Sequence, residues 1–152
     1  MITVRAHATW NTTATLQAWR KAPGGGWLRV GTAATAHVGS DGLSRSPSEY
    51  KSATPIGSFT LTQAFGYAAN PGTYLRYFRT NGADWWISQS GPLYNTRNSP
   101  TGVRQGRGSA FFLHVTDGRP TAGCVAIGPN KLTTLMRWLL PRTHPRILIG
   151  TS

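Results

Sequence analysis

Alternation of apolar and polar positions, more than helical periodicity, organises this chain. From Thr13 to Trp19 it places Ala14, Leu16 and Ala18 on one face, the period of two of a half-buried strand. Ala22-Pro-Gly-Gly-Gly26 reads as a turn, and Trp27-Leu-Arg-Val30 resumes extended structure. Together they predict a hairpin. Ala33 to Val38 is a further weak strand. Gly39-Ser-Asp-Gly42 is a turn, and Leu43 to Lys51 a polar connection. In Ala53-Thr-Pro-Ile-Gly-Ser-Phe-Thr-Leu61, Pro55 pushes Thr54 toward extended backbone, and Phe59 and Leu61 are expected to alternate inward. Ala110 to Val115 is apolar enough for a buried strand, with Phe112 and His114 on one face and Phe111, Leu113 and Val115 on the other. Cys124 to Ile127 and Pro145 to Gly150 read as the last strands.

One segment follows a different period. Gly128-Pro129 stops a strand, Asn130 is a good N-cap, and Leu132, Leu135, Met136 and Leu139 fall on one helical face. Pro141 ends it. The expectation is a mainly β chain, a mixed β-sandwich with one main helix near the C-terminus at about Asn130–Leu140. Residues 1–152 form one domain, of which 1–34 supply the first strands. A chain of this length can bury a core of its own.

The segment from Ala64 to Trp86 gathers Phe65, Tyr67, Tyr74, Tyr77, Phe78, Trp85 and Trp86, with Arg76 and Arg79 between them. Interleaved aromatics and arginines suit a stacking platform for single-stranded nucleic acid, but they serve more often as core and rim packing. No zinc-finger spacing, basic zipper or RNP pattern accompanies them. Gln89 to Gly108, with Arg97, Arg104 and Arg107, reads as a long mobile loop.

Composition narrows the chemistry. Sixteen Lys and Arg face four acidic residues, a formal charge of +12, which attracts polyanions such as nucleic acid, anionic wall polymer or a membrane surface. The carboxylates, Asp41, Glu49, Asp84 and Asp117, are too scattered to suggest a glycosidase pair. One cysteine and four dispersed histidines, His7, His37, His114 and His144, supply a zinc site poorly. No apolar run approaches the roughly 20 residues of a membrane span. Met1 to Arg5 carries no leader pattern, so either the chain is cytosolic or its leader lies outside this sequence.

What remains is Ser109 to Ile127, which holds Cys124 and, at the end of an apolar run, His114. If the strands on either side of the Asp117-Gly-Arg-Pro turn pair, the imidazole can take the thiol proton, the arrangement of a cysteine nucleophile and its base. Arg119, with Arg104 or Arg107, would favour thiolate further. Gly123 leaves room for backbone donors, making the Gly123 and Cys124 amides candidates for an oxyanion hole. Asp117 or a backbone carbonyl could orient the imidazole. A lone cysteine is more commonly a small buried hydrophobe, and spacing alone leaves both readings open.

The residues resemble the bacterial L,D-transpeptidases with a YkuD-type catalytic domain. His114-Val-Thr116 and Thr121-Ala-Gly-Cys124 are similar to that family's His-Gly-Thr/Ser and Ser/Thr-His-Gly-Cys elements. Thr54-Pro-Ile-Gly-Ser-Phe59 looks like its Thr-Pro-x-Gly-x-Phe strand. The closer likeness is to a secreted subgroup with Leu-His-Val…Gly-Arg-Pro-Thr-Ala-Gly-Cys-Val followed by a helix containing Arg-Trp-Leu, and it covers about residues 35–150. Ala122 stands where the family commonly has a histidine, and Val115 where it commonly has a glycine. Ser88–Arg104 is shorter than the subgroup's substrate-covering lid.

The resemblance implies a YkuD-like fold and a cysteine acyltransferase that needs no cofactor and no metal. Cys124 would be the nucleophile and His114 the base, oriented by the Val115 carbonyl. Thr116, Arg119, Thr121 and Ala122 would be substrate-binding positions. The expected substrate is a peptidoglycan stem tetrapeptide and the product a 3→3 cross-link. With water as acceptor the same site would be an L,D-carboxypeptidase, and a non-catalytic basic wall-binding or nucleic-acid-binding module is the rival from another class. Stem peptides and anionic wall polymers are the expected partners, with nucleic acid disfavoured. A secreted or wall-associated monomer is expected.

Overall fold

A computed structural model of the chain describes residues 1–84, 86–95 and 108–152. The strands are β1 (Ile2–Ala6), β2 (Thr13–Lys21), β3 (Trp27–His37), β4 (Leu43–Ser44), β5 (Thr54–Pro55), β6 (Gly57–Thr60), β7 (Gln63–Gly66), β8 (Arg76–Arg79), β9 (Leu113–Val115), β10 (Val125–Ile127) and β11 (Arg146–Thr151). The main helix is α1 (Pro129–Trp138), with a 3-10 turn at Pro141–Thr143.

Seven strands make one mixed sheet in the order β6-β11-β1-β2-β3-β10-β9. β1 lies parallel to β11 and β10 parallel to β9, and the other neighbours are antiparallel. Two parallel ribbons, β4-β5 and β7-β8, flank it. The expected mainly β chain with a mixed sheet and one principal helix near the C-terminus is what forms.

The core lies where alternation places it. Ala14, Leu16 and Ala18 of β2 are buried, with Ile2 and Val4 of β1, Val125 and Ile127 of β10, and Ile147 and Ile149 of β11. Leu135 and Leu139 close this core from the helix side, with Leu132 and Trp138 packed against it. The predicted hairpin forms, but its second arm does not break. Trp27–Val30 and Ala33–Val38 merge into β3, and the register shifts between Leu16 and Ala18. Gln17 bridges that shift, its Nε2 donating to the carbonyls of Val30 and Gly31 at 3.2 and 3.3 Å. A side chain thus satisfies carbonyls near the irregularity, and the strand continues.

Other boundaries differ for local reasons. The helix starts one residue early, with Gly128 as N-cap and Pro129 in the first turn. Proline suits that place, because its missing N–H has no helical partner there and its φ is already helical. Asn130 is therefore inside the helix rather than its cap. Phe59 does not turn inward: β6 is an edge strand, and the ring is 39% exposed.

The turn at Gly39–Gly42 closes as expected, with Gly42 N–H on the Gly39 carbonyl at 2.8 Å. It also presses against another segment. A Cβ on Gly39 would lie 2.2 Å from the Ser52 carbonyl oxygen, so only glycine lets the two backbones approach. This contact brings the turn against the entrance to β5, which reaches the site described next.

Candidate active site

β9 and β10 meet as predicted, but they run parallel: Leu113 pairs with Val125, His114 with Ala126 and Val115 with Ile127. The connection from Thr116 to Cys124 must therefore travel back along the sheet. It does so beside the end of β3, where Thr121 N–H donates to the Val38 carbonyl and Ser40 N–H to the Thr121 carbonyl, each at 2.8 Å. Ala126 lies opposite His114, and Cys124 is the residue just before β10.

The expected buried strand Ala110–Val115 is shorter and more exposed than its composition implies. Ala110 has φ 55, a left-handed conformation no strand accommodates, and regular pairing starts only at Leu113. β9 is an edge strand, which leaves His114 and Val115 exposed.

The imidazole is held by its own chain: His114 Nδ1 lies 2.8 Å from the Val115 carbonyl oxygen. A carbonyl can only accept, so Nδ1 carries the hydrogen and the neutral ring keeps its lone pair on Nε2. Asp117, the other candidate for orienting the ring, accepts instead from Arg119 N–H at 3.0 Å within its own turn.

Cys124 is half-buried, and its sulfur has two backbone neighbours. The thiol donates to the Ala110 carbonyl at 3.3 Å, and the sulfur accepts from Phe112 N–H at 3.4 Å. Burial pushes the thiol pKa above its ordinary value, and the Phe112 N–H, which favours the charged form, pulls against it. Among the described residues no cationic side chain enters this balance. Arg119 is exposed on the loop, and Arg97, Arg104 and Arg107 lie outside the described residues, as does most of the stretch expected to be a lid.

The expected backbone donors divide. Gly123 N–H donates to Thr121 Oγ1 at 3.1 Å, whereas the Cys124 amide has no such partner among the described residues. Gly123 itself has φ 128, and a Cβ there would lie 2.6 Å from Phe111 Cε1 and 3.1 Å from the Ala53 carbonyl oxygen. The space it leaves is filled by this chain's own atoms.

The threonine hydroxyls shape the loop. Thr121 Oγ1 donates to the Cys124 carbonyl at 2.7 Å. Thr116 Oγ1 accepts from Gly118 N–H at 2.9 Å and meets His37 Nδ1 at 2.8 Å. Ala122 is exposed beside Gly123.

Sequence reading passed over several neighbours of this site. Thr54 Oγ1 accepts from Gly39 N–H at 2.8 Å and donates to the Cys124 carbonyl at 3.0 Å. Its motif was visible but its bond was not. His37 pairs with Ala126, which pairs with His114, so the two imidazoles share a face with one small residue between them. Asn95 Oδ1 accepts from Ala110 N–H and from Trp86 Nε1, each at 2.9 Å. Trp86 in turn meets Phe112 edge-on at 4.8 Å and stacks near Phe65 at 6.2 Å between centroids. Part of the aromatic segment is therefore a wall beside the site.

This wall lines a cavity of about 960 Å³, together with Phe59, His114 and Gly123. Cys124 is not among the lining residues, and its thiol is turned to the Ala110 carbonyl. Glu49 ties the flank together, accepting from Tyr94 Oη and, at 3.2 Å, from Ser109 Oγ. Among the described residues no cluster of His, Cys, Asp and Glu could hold a metal ion. None of the described helices is long and apolar enough to cross a membrane.

A half-buried thiol, an oriented imidazole on the strand next to β10 and a cavity that this imidazole lines are elements that acyl transfer would use. No curated protein and no solved structure matches the chain. The model of the YkuD family, the L,D-transpeptidase catalytic domain, matches residues 6–149. The match includes β5, the His114 strand and the Cys124 turn in one continuous span, and the chain belongs to the L,D-transpeptidase catalytic-domain family.

Proposed function

We propose that this protein is a peptidoglycan L,D-transpeptidase that forms 3→3 cross-links through an acyl-enzyme on Cys124. The observation that carries this reading is the pairing of His114 with Ala126. It supports a base on the strand that adjoins the one Cys124 leads into, with Nδ1 tied to the Val115 carbonyl and Nε2 free to accept a proton.

On this reading Cys124 Sγ attacks the carbonyl carbon of the stem's third residue, a diamino acid, as its proton passes to His114 Nε2. The Cys124 amide receives the developing oxyanion. The tetrahedral adduct collapses, the bond to D-Ala breaks, and His114 returns the proton to the departing amine. A side-chain amine of a second stem then attacks the thioester, restoring the thiol and leaving a new amide. Arg119 and Ala122, exposed on the loop, would contact the donor stem, and Thr116 and Thr121 would support it from beneath. The charge of +12 suits residence beside anionic wall polymers, in keeping with the secreted or wall location of an enzyme of this family.

The test is intact-protein mass after exposure to a carbapenem. A covalent adduct absent from Cys124→Ala is expected. A folded protein with no adduct would overturn the reading and favour a binding module. Digestion of muropeptides then separates the acceptors: cross-linked dimers support transpeptidation, whereas tripeptides alone indicate an L,D-carboxypeptidase.

A further inference from the structure

The sulfur of Cys124 is enclosed in a ring of contacts that returns to itself. The thiol donates to the Ala110 carbonyl, Ala110 N–H donates to Asn95 Oδ1, and Trp86 Nε1 donates to the same oxygen. Trp86 packs edge-on against Phe112, whose N–H points at the sulfur. Two members of this ring are unusual. Asn95 has φ 56 and Ala110 φ 55. Asparagine visits that region readily, but alanine does so at a cost of about 1–2 kcal/mol. Some interaction must hold Ala110 there, and the peptide groups on both its sides are engaged: its N–H by Asn95 and its carbonyl by the thiol.

We propose that Asn95 is a positioning residue for the nucleophile: by fixing Ala110 in the left-handed conformation it aims the Ala110 carbonyl at the Cys124 thiol and holds the sulfur in a neutral resting state. The inference deepens the reading of Cys124 as the reacting group and gives the site a resting and a reactive state. A carbonyl accepting from S–H stabilises the thiol and would repel a thiolate, whereas Phe112 N–H does the reverse. Loss of the Ala110 carbonyl leaves only the contact that favours the charged form. Among the described residues, the titratable groups on the strands beside β10 are His114 and His37, both opposite Ala126.

The lone cysteine makes the test direct. Alkylation of Cys124 by iodoacetamide is followed by mass against pH, a readout that needs no substrate and is independent of carbapenem acylation. Asn95→Ala is expected to lower the alkylation midpoint by about one pH unit, giving roughly tenfold faster alkylation near neutrality. Adding Ala110→Gly, which adopts positive φ without penalty, is expected to restore the midpoint. An unchanged midpoint in folded Asn95→Ala would overturn the proposal, as would failure of Ala110→Gly to restore it, because Asn95 would then act by some other route. Should Asn95→Ala not fold, Ala110→Val decides: a β-branched residue resists positive φ, and an unshifted midpoint there would equally overturn the proposal.

Discussion

The hydroxyl of Thr54 donates a hydrogen bond of 3.0 Å to the carbonyl oxygen of Cys124, linking residues 70 apart in sequence. Thr54 is 1% exposed, and its hydroxyl oxygen also accepts from Gly39 N–H at 2.8 Å. One buried side chain thus ties β5, the Gly39 turn and the nucleophile's backbone together. Thr54→Val removes both bonds and strands a buried N–H, at a cost of about 1–3 kcal/mol. Thr54→Ser keeps the hydroxyl and is expected to cost less. Thermal denaturation checks this, each kcal/mol being worth roughly 2–4 °C in a chain of this size. Equal losses for Val and Ser would assign the effect to packing.

This bond marks the limit of what the sequence reveals. The Thr54–Phe59 motif and the Cys124 motif are both legible, because Pro, Gly and a lone Cys constrain their surroundings. The hydroxyl between them is not legible, since long-range contacts leave no periodicity. Alternation located the core strands for the same physical reason that the sheet buries them. It misjudged Ala110–Val115, where composition speaks for burial but a left-handed residue and an edge position prevail. The parallel pairing of β9 and β10 was equally hidden, as apolar alternation carries no strand direction. Asn95 gave no signal beyond its tolerance of positive φ, and the segment 96–107 lies outside the described residues.

Gly123→Ala tests how tightly the nucleophile turn is packed. The new Cβ would meet Phe111 Cε1 at 2.6 Å and would sit at φ 128. The ring can shift but the backbone strain persists, so the expected loss is roughly 2–4 kcal/mol. Carbapenem acylation should fall with it, because the shifted turn carries Cys124. Unchanged stability and acylation would mean that the turn relaxes freely.

The raised thiol pKa of Cys124 has a definite sign in pH. The folded chain holds the proton more tightly than an unfolded thiol near 8.5. The stability this provides is fully present below the unfolded value and is lost as pH rises through the folded one. Urea titrations should therefore show a decline above about pH 8.5 in wild type that is reduced in Cys124→Ala. Identical pH profiles would show that burial does not hold the thiol neutral.

His114→Gln separates a base from a structural histidine. Glutamine places an amide about where Nε2 stands, one that can donate but cannot take up a proton, so the base is lost while a polar side chain of similar length stays. Carbapenem acylation near neutral pH should drop by about 10²–10⁴-fold, the usual contribution of a positioned base. At high pH, where the thiol ionises unaided, iodoacetamide alkylation should approach the wild-type rate. That split is the signature of proton removal, since a variant that merely distorted the site would slow both reactions at every pH. If acylation near neutrality survives intact, the proton leaves by another route, and His37, the second imidazole on this face, becomes the residue to replace next.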